Sequence, residues 1–144
     1  MWNTAIKKND LNILDLLEYN PQAKLVDLGC YRGWTINNLA TKIGTNHIYG
    51  CDVDAQAVAE ARELKIVAVV ADLNKKLPYE DNYFDVVYSN QVIEHLNNVD
   101  QFIDELYRIT KPGGYVITST ENLASWHNIG ALLLAQQPFS QHIS

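Results

Sequence analysis

Basic residues are scarce in this chain and never cluster. Eleven lysines and arginines stand against seventeen aspartates and glutamates, a net charge of -6 over 144 residues. Without a positive stripe to track phosphates, nucleic acid is excluded as a bulk electrostatic partner, although a small substrate presented one base at a time stays compatible. Cysteine is equally sparse. Cys30 and Cys51 do not fall in a metal-ligand spacing and read as free buried or half-buried thiols of a reducing compartment. No apolar core of signal-peptide length opens the chain, and the longest late apolar run, Ile129 to Ala135, is far too short to span a bilayer. Repeats, low-complexity tracts and linkers are missing too. The expectation is a soluble cytoplasmic protein forming one domain over residues 1–144, with no membrane span and no metal site.

What is present organises itself around Lys24 to Gly33, K-L-V-D-L-G-C-Y-R-G. Leu25, Val26 and Leu28 make a short apolar strand, and Gly29 and Gly33 make a turn of the kind that needs positive φ and close backbone approach. A helical pattern follows, with Ile36, Leu39, Ala40 and Ile43 on one face and Gly44 as its stop. Before the strand, Leu11, Leu14 and Leu17 predict a leading helix from Asp10 to Tyr19, capped by Asn9 or Asp10 and stopped by Pro21.

The alternation then repeats. His47 to Cys51 is the second strand, and Asp54 caps a short helix with Val58, Ala61 and Leu64 facing inward. Ile66 to Ala71, six apolar residues in a row, predicts a third strand covered on both faces. A polar loop from Leu73 to Tyr83 leads to a fourth strand, Phe84 to Tyr88, and a helical turn around Gln91 to Leu96. Phe102, Ile103, Leu106 and Ile109 line a helix starting near Val99 or Asp100, ended by the turn K-P-G-G at Lys111 to Gly114. Tyr115 to Ser119 is the fifth strand, and a last helical pattern covers roughly Leu123 to Ala135. Connections too long for hairpins predict an α/β fold, a Rossmann-like doubly wound parallel sheet in three α/β/α layers.

In such sheets ligands bind beyond the carboxyl ends of the strands. The dinucleotide fingerprint G-x-G-x-x-G is absent, which speaks against a pyrophosphate and a nicotinamide-dependent oxidoreductase. Instead acidic residues close successive strands: Asp27, Asp52 and Asp72. Set side by side, they would form an acidic rim suited to a ligand with positive charge and ribose hydroxyls, and hostile to two phosphates. Asp52 is the natural acceptor for the ribose and Asp72 for an exocyclic amine. S-adenosylmethionine, with a sulfonium, an ammonium, one carboxylate and no phosphate, fits that description.

V-D-L-G-C-Y-R-G resembles the first motif of class I S-adenosylmethionine-dependent methyltransferases, usually D-x-G-C-G-x-G. G-C-D-V-D resembles their second acidic motif, A-D-L the adenine-contacting one, L-P-Y-E-D-N-Y-F-D-V-V-Y-S-N-Q-V-I-E-H-L the fourth-strand region, and R-I-T-K-P-G-G-Y-V-I-T the turn before the fifth strand. The resemblance covers about Leu25 to Thr120. It implies a methyltransferase with S-adenosylmethionine as cofactor, S-adenosylhomocysteine as product and an acceptor that is a small molecule. It also implies that Gly29, Cys30, Tyr31 and Gly33 form the loop under the methionine moiety, and that Asp27 holds this loop or the ammonium group. Asp52 would accept from the ribose, Val53 would pack near the adenine, Asp72 and Leu73 would take the adenine edge, and Asn90 would sit near the methionine part. No catalytic residue is assigned: His95, Glu121, Asn122 and His127 read equally well as loop polarity.

Two departures stand out. Tyr31 occupies the position of the family's second glycine, where a side chain must point away from the cofactor or weaken its binding. The family's last two strands have no counterpart after Ser119, so the fifth strand is expected to be an open edge, covered by a missing C-terminal segment or by a second subunit. The alternative to an enzyme is a non-catalytic S-adenosylmethionine-binding or scaffold module with the same fold.

Overall fold

The computed structural model describes residues 13–120. Five parallel strands form one sheet: β1 (Lys24–Leu28), β2 (His47–Asp52), β3 (Val67–Val70), β4 (Phe84–Asn90) and β5 (Thr110–Ser119), in the order β3-β2-β1-β4-β5. The order reverses between β1 and β4, so the ends of these two strands open the crevice in which doubly wound sheets bind ligands. Three helices connect the strands: α1 (Trp34–Ile43), α2 (Ala55–Glu63) and α3 (Val99–Ile109).

Strand alternation splits the core in two. Leu25, Val86, Tyr88 and Ile117 meet Ile36, Leu39, Ile43, Val58 and Ala61 of α1 and α2 on one face. Val26, Leu28 and Val87 meet Phe102, Leu106 and Ile109 of α3 on the other. Each central strand is therefore apolar on both sides, as a sheet sandwiched between helices requires. Asp54 caps α2 as its sequence position predicts, its Oδ1 accepting from the backbone N–H of Gln56 at 2.8 Å and of Ala57 at 3.2 Å.

Several expectations need correction. The third strand is not covered on both faces: β3 is the outermost strand, and Val67 and Val70 are 58% and 51% exposed. The leading helix ends at residue 15, four residues before Tyr19. Beyond it Asn20 N–H is drawn to Ile43 O at 2.8 Å and the Tyr19 ring packs over Gly44, which ties the segment to the end of α1. In α3, Ile103 is exposed and Glu105 is buried in its place. The K-P-G-G stretch does not precede the fifth strand but lies within it, as a bulge: the register passes from Phe84↔Thr110 to Val86↔Tyr115. A Cβ on Gly114 would lie 2.8 Å from Asp85 O, so this bulge needs a glycine for space. The turn after β4 is a 3-10 turn, Ile93–His95. Asn9, Asp10, Leu11 and the helical pattern from Leu123 to Ala135 lie outside the described residues. β5 is an edge strand among the described residues.

Candidate functional site

The turn after β1 is tied to the end of β2. Both Gly29 N–H and Cys30 N–H donate to Cys51 O at 2.9 Å, and Gly33 N–H donates to Cys30 O at 2.8 Å. Gly29 and Gly33 have φ of 86° and 78°, as a left-handed turn requires. Their lack of a side chain serves the protein's own packing. A Cβ on Gly29 would stand 2.6 Å from Val92 Cγ2, and one on Gly33 would stand 2.2 Å from Ile66 Cδ1.

Asp52, at the end of β2, holds the turn from outside. Its Oδ2 accepts from Tyr31 N–H at 2.8 Å and its Oδ1 from Asp54 N–H at 3.0 Å. Tyr31 itself adopts φ 46°, the conformation its glycine-like position imposes. Its ring is half-exposed, with the Arg32 guanidinium 5.0 Å from the ring centroid. Arg32 also lies 5.7 Å from the Trp34 ring and pairs with Glu60 of α2 at 3.0 Å. Tyr31 is thus engaged on a surface stack centred on arginine.

Asp27 differs from an expected rim residue, because it is only 3% exposed. It projects from the same face of β1 as Leu25, facing Gly50 of β2 and Tyr88 of β4 in register. Burial first, and the neighbouring Asp52 carboxylate second, push its carboxyl up to about 7. Burial penalises the charged form, so this carboxyl keeps its proton to a much higher pH than an exposed aspartate does. The two thiols beside it are raised to about 12, chiefly by burial, and act as packing. Cys30 Sγ fills the space above Gly50, so only the backbone of Cys30 belongs to the turn.

The remaining candidates flank this centre. Val53 is 72% exposed at the tip after β2. Ala71 N–H donates to Asp52 O at 2.9 Å and brings the next residue, Asp72, alongside. Asp72 is a partly exposed carboxylate whose pKa is lowered by hydrogen bonds from Asn74 and Lys75. Leu73 is buried in the core against Val26 and Leu28, leaving its backbone as the part that can meet a ligand. Asn90 lies on the other side of β1, where its side-chain oxygen accepts from the Ser119 hydroxyl. Glu94 accepts from Thr120 Oγ1 at 2.9 Å, and His95 is exposed on the 3-10 turn. Glu121, Asn122 and His127 lie outside the described residues.

Sequence reasoning missed what supports the flank. Arg108 of α3 donates to Leu77 O, Tyr79 O, Asp81 Oδ1 and Glu105, and Glu105 accepts from Leu77 N–H at 2.7 Å. Tyr79 hydroxyl donates to Gly50 O at 2.9 Å. The loop from Asp72 to Asp81 is therefore clasped by α3 on one side and pinned to β2 on the other. The i, i+3 acid–base pair at Glu105 and Arg108 was its only sequence signal.

A family model described as a methyltransferase domain matches residues 26–118, which contain the turn and the three strand-end carboxylates. The chain belongs to this methyltransferase family. Among curated relatives, it is 35% identical over 121 residues to demethylmenaquinone methyltransferase of Bacillus mycoides (strain KBAB4), covering 78% of this chain and 49% of that protein. It is 31% identical over 110 residues to malonyl-[acyl-carrier protein] O-methyltransferase of Erwinia billingiae (strain Eb661), covering 75% and 43%. The chain therefore spans about half the length of these two relatives. Of solved structures, an S-adenosylmethionine-dependent methyltransferase from Mesorhizobium loti superposes with a TM-score of 0.69 at 27% identity, covering 78% of this chain and 54% of that one. The five-stranded parallel sheet with its flanking helices matches the Rossmann-like fold of S-adenosylmethionine-dependent methyltransferases. No helix among the described residues is long and apolar enough to cross a membrane.

Proposed function

We propose that residues 1–144 form the cofactor-binding domain of an S-adenosylmethionine-dependent methyltransferase that acts on a small-molecule acceptor. The observation that carries this reading is Asp27. A carboxyl group buried at the switch point of the sheet, with a second carboxylate beside it, is matched by a ligand bringing positive charge and no phosphate. Gly29 and Gly33 shape the turn that would run under the methionine part, with the backbone of Cys30 and Tyr31 between them. The Arg32 guanidinium, 5.0 Å from the Tyr31 ring centroid, would hold that ring clear of the methionine part. Asp52 retains lone pairs on both oxygens for the ribose hydroxyls, Val53 offers apolar surface to the base, and Asp72 with the backbone of Leu73 would read the base edge. Asn90 borders the methionine end.

When bound, S-adenosylmethionine supplies a methyl group on a sulfonium, whose departure as a thioether needs no acid. What this chain has to do is bind and orient. Holding donor and acceptor in line at near-attack distance supplies most of the acceleration in a direct displacement, and a base is required only for an acceptor protonated at working pH. The two relatives carry unlike acceptors in their names, a quinone and a malonyl group on a carrier protein, so the acceptor is a property of each protein's own additions.

Calorimetric titration with S-adenosylmethionine and S-adenosylhomocysteine tests the cofactor reading, which fails if neither gives heat. Transfer of tritiated methyl into the small-molecule fraction of a cell extract tests the rest. Binding with no transfer into any fraction would leave a non-catalytic module.

A further inference from the structure

Asp72 does not present two equivalent oxygens. Its Oδ1 accepts twice from one residue, from Asn74 N–H at 2.9 Å and from Asn74 Nδ2 at 3.1 Å. Its Oδ2 meets Lys75 Nζ at 3.2 Å, and that lysine side chain is 76% exposed, a surface pair that water replaces at little cost. The same Asn74 side chain reaches the other way. Its Oδ1 accepts from the backbone N–H of Asn97 at 2.7 Å and of Asn98 at 3.3 Å, where the chain enters α3. With the Gln101 amide turned so that donor meets acceptor, it donates to Asn74 O at 2.9 Å and accepts from Lys76 N–H at 3.1 Å. Asn74 is consequently fixed at both ends, to the start of α3 and to one oxygen of Asp72.

We propose that Asn74 is a positioning residue for base recognition: by saturating Oδ1 of Asp72 it aims Oδ2 at the exocyclic amine of the cofactor's adenine. This rests on the assignment of Asp72 to the adenine edge made above. A carboxylate free to rotate offers either oxygen in many directions, whereas one held at Oδ1 offers a single acceptor in a fixed direction. Discrimination between an amine and a carbonyl at that position then depends on Asn74, although Asn74 itself touches no ligand. An acceptor aimed at that position pairs with an amine and meets an oxo group as a second acceptor, so the oxo analogue is disfavoured.

The test uses S-adenosylhomocysteine and S-inosylhomocysteine, in which an oxo group replaces the amine, titrated calorimetrically into the wild-type chain and three variants. The wild type is expected to prefer the adenine form by about tenfold or more. Asn74→Asp keeps the acceptor for Asn97 and Asn98 and the main-chain N–H to Asp72 but replaces the side-chain donor toward Asp72 with a like charge, and should cut the preference by about fivefold or more, chiefly by weakening the adenine form. Lys75→Met should leave the preference within about twofold of wild type. In Asp72→Asn, the further change Asn74→Asp should have no additional effect on it, since a residue acting through a partner is silent once the partner is changed.

An unaltered preference in Asn74→Asp overturns the proposal, as does an equal loss in Lys75→Met. A melting temperature of Asn74→Asp more than about 8 °C below wild type also overturns it, by making Asn74 structural first. If the wild type binds neither compound, the cofactor reading falls and this inference with it. If it binds both equally, the cofactor reading survives and the assignment of Asp72 and Asn74 does not.

Discussion

Asp27 and Asp72 both stand at strand ends, two strands apart on one side of the switch point, and their environments are opposite. Asp72 is partly exposed and its oxygens are met by Asn74 and Lys75, which hold its pKa below the usual carboxylate value. Asp27 is buried beside another acid and is held far above it. On the flank the carboxylate is paired by side chains and backbone of the chain itself, while at the centre it is buried beside a second acid. A carboxyl group retained at a cost to the fold points to function by its burial alone, whereas the role of one paired on the surface has to be argued from its geometry.

The contrast is broken most strongly at the centre. Because the folded carboxyl of Asp27 titrates near 7 and the unfolded one near 3.8, the folded state binds the extra proton. Its contribution to stability is full below pH 4 and is lost as pH rises through 7. Asp27→Asn should therefore flatten the decline between pH 4 and 7 and gain about 2–4 kcal/mol at pH 8 relative to wild type, as urea unfolding at pH 5 and 8 will measure. In the wild type, uptake of a cationic cofactor near neutral pH should release a proton, visible as a binding enthalpy that changes with buffer ionisation heat.

At the flank, Glu105→Ala leaves Arg108 without its buried partner and should cost about 2–3 kcal/mol in the same unfolding assay. It should also raise amide exchange across residues 74–81, while leaving β1 and β4 protected. Between the two regions, Asp52→Ala removes the acceptor that holds the turn and is proposed for the ribose, and should weaken S-adenosylhomocysteine binding by about 1–3 kcal/mol. An unchanged dissociation constant would overturn the ribose assignment. The smallest effect is expected at Tyr31→Gly, which keeps the N–H donated to Asp52 and should shift stability by less than about 1 kcal/mol. Affinity that rises by about tenfold or more in this variant would place the ring in the cofactor's way.

The central strands were legible in the sequence because both faces of each are largely buried, which writes itself as short apolar runs broken by a single aspartate each, L-V-D-L at Leu25–Leu28 and F-D-V-V-Y at Phe84–Tyr88. The Asp54 cap and the glycine turn were legible because their chemistry is local. β3 misled for the same reason in reverse, since a run of valines at an edge looks identical to one in the middle until the strand order is known. Glu105 and Arg108 stand three apart on a helix face, a spacing that a solvated pair shares; only the loop folded over them makes them interior. Of the candidate site, the placement of Asp27, Asp52 and Asp72 at successive strand ends was legible and the burial of Asp27 was not, because what covers it comes from distant parts of the chain.

Three of the groups that fasten residues 77–81 to α3 are main-chain atoms: Leu77 N–H to Glu105, and the carbonyls of Leu77 and Tyr79 to Arg108. Such a latch is blind to side-chain identity and sensitive to spacing. An engineer recasting the domain could therefore rewrite Pro78 and Glu80 freely, yet should treat the number of residues between Leu77 and Asp81 as fixed, and place insertions elsewhere.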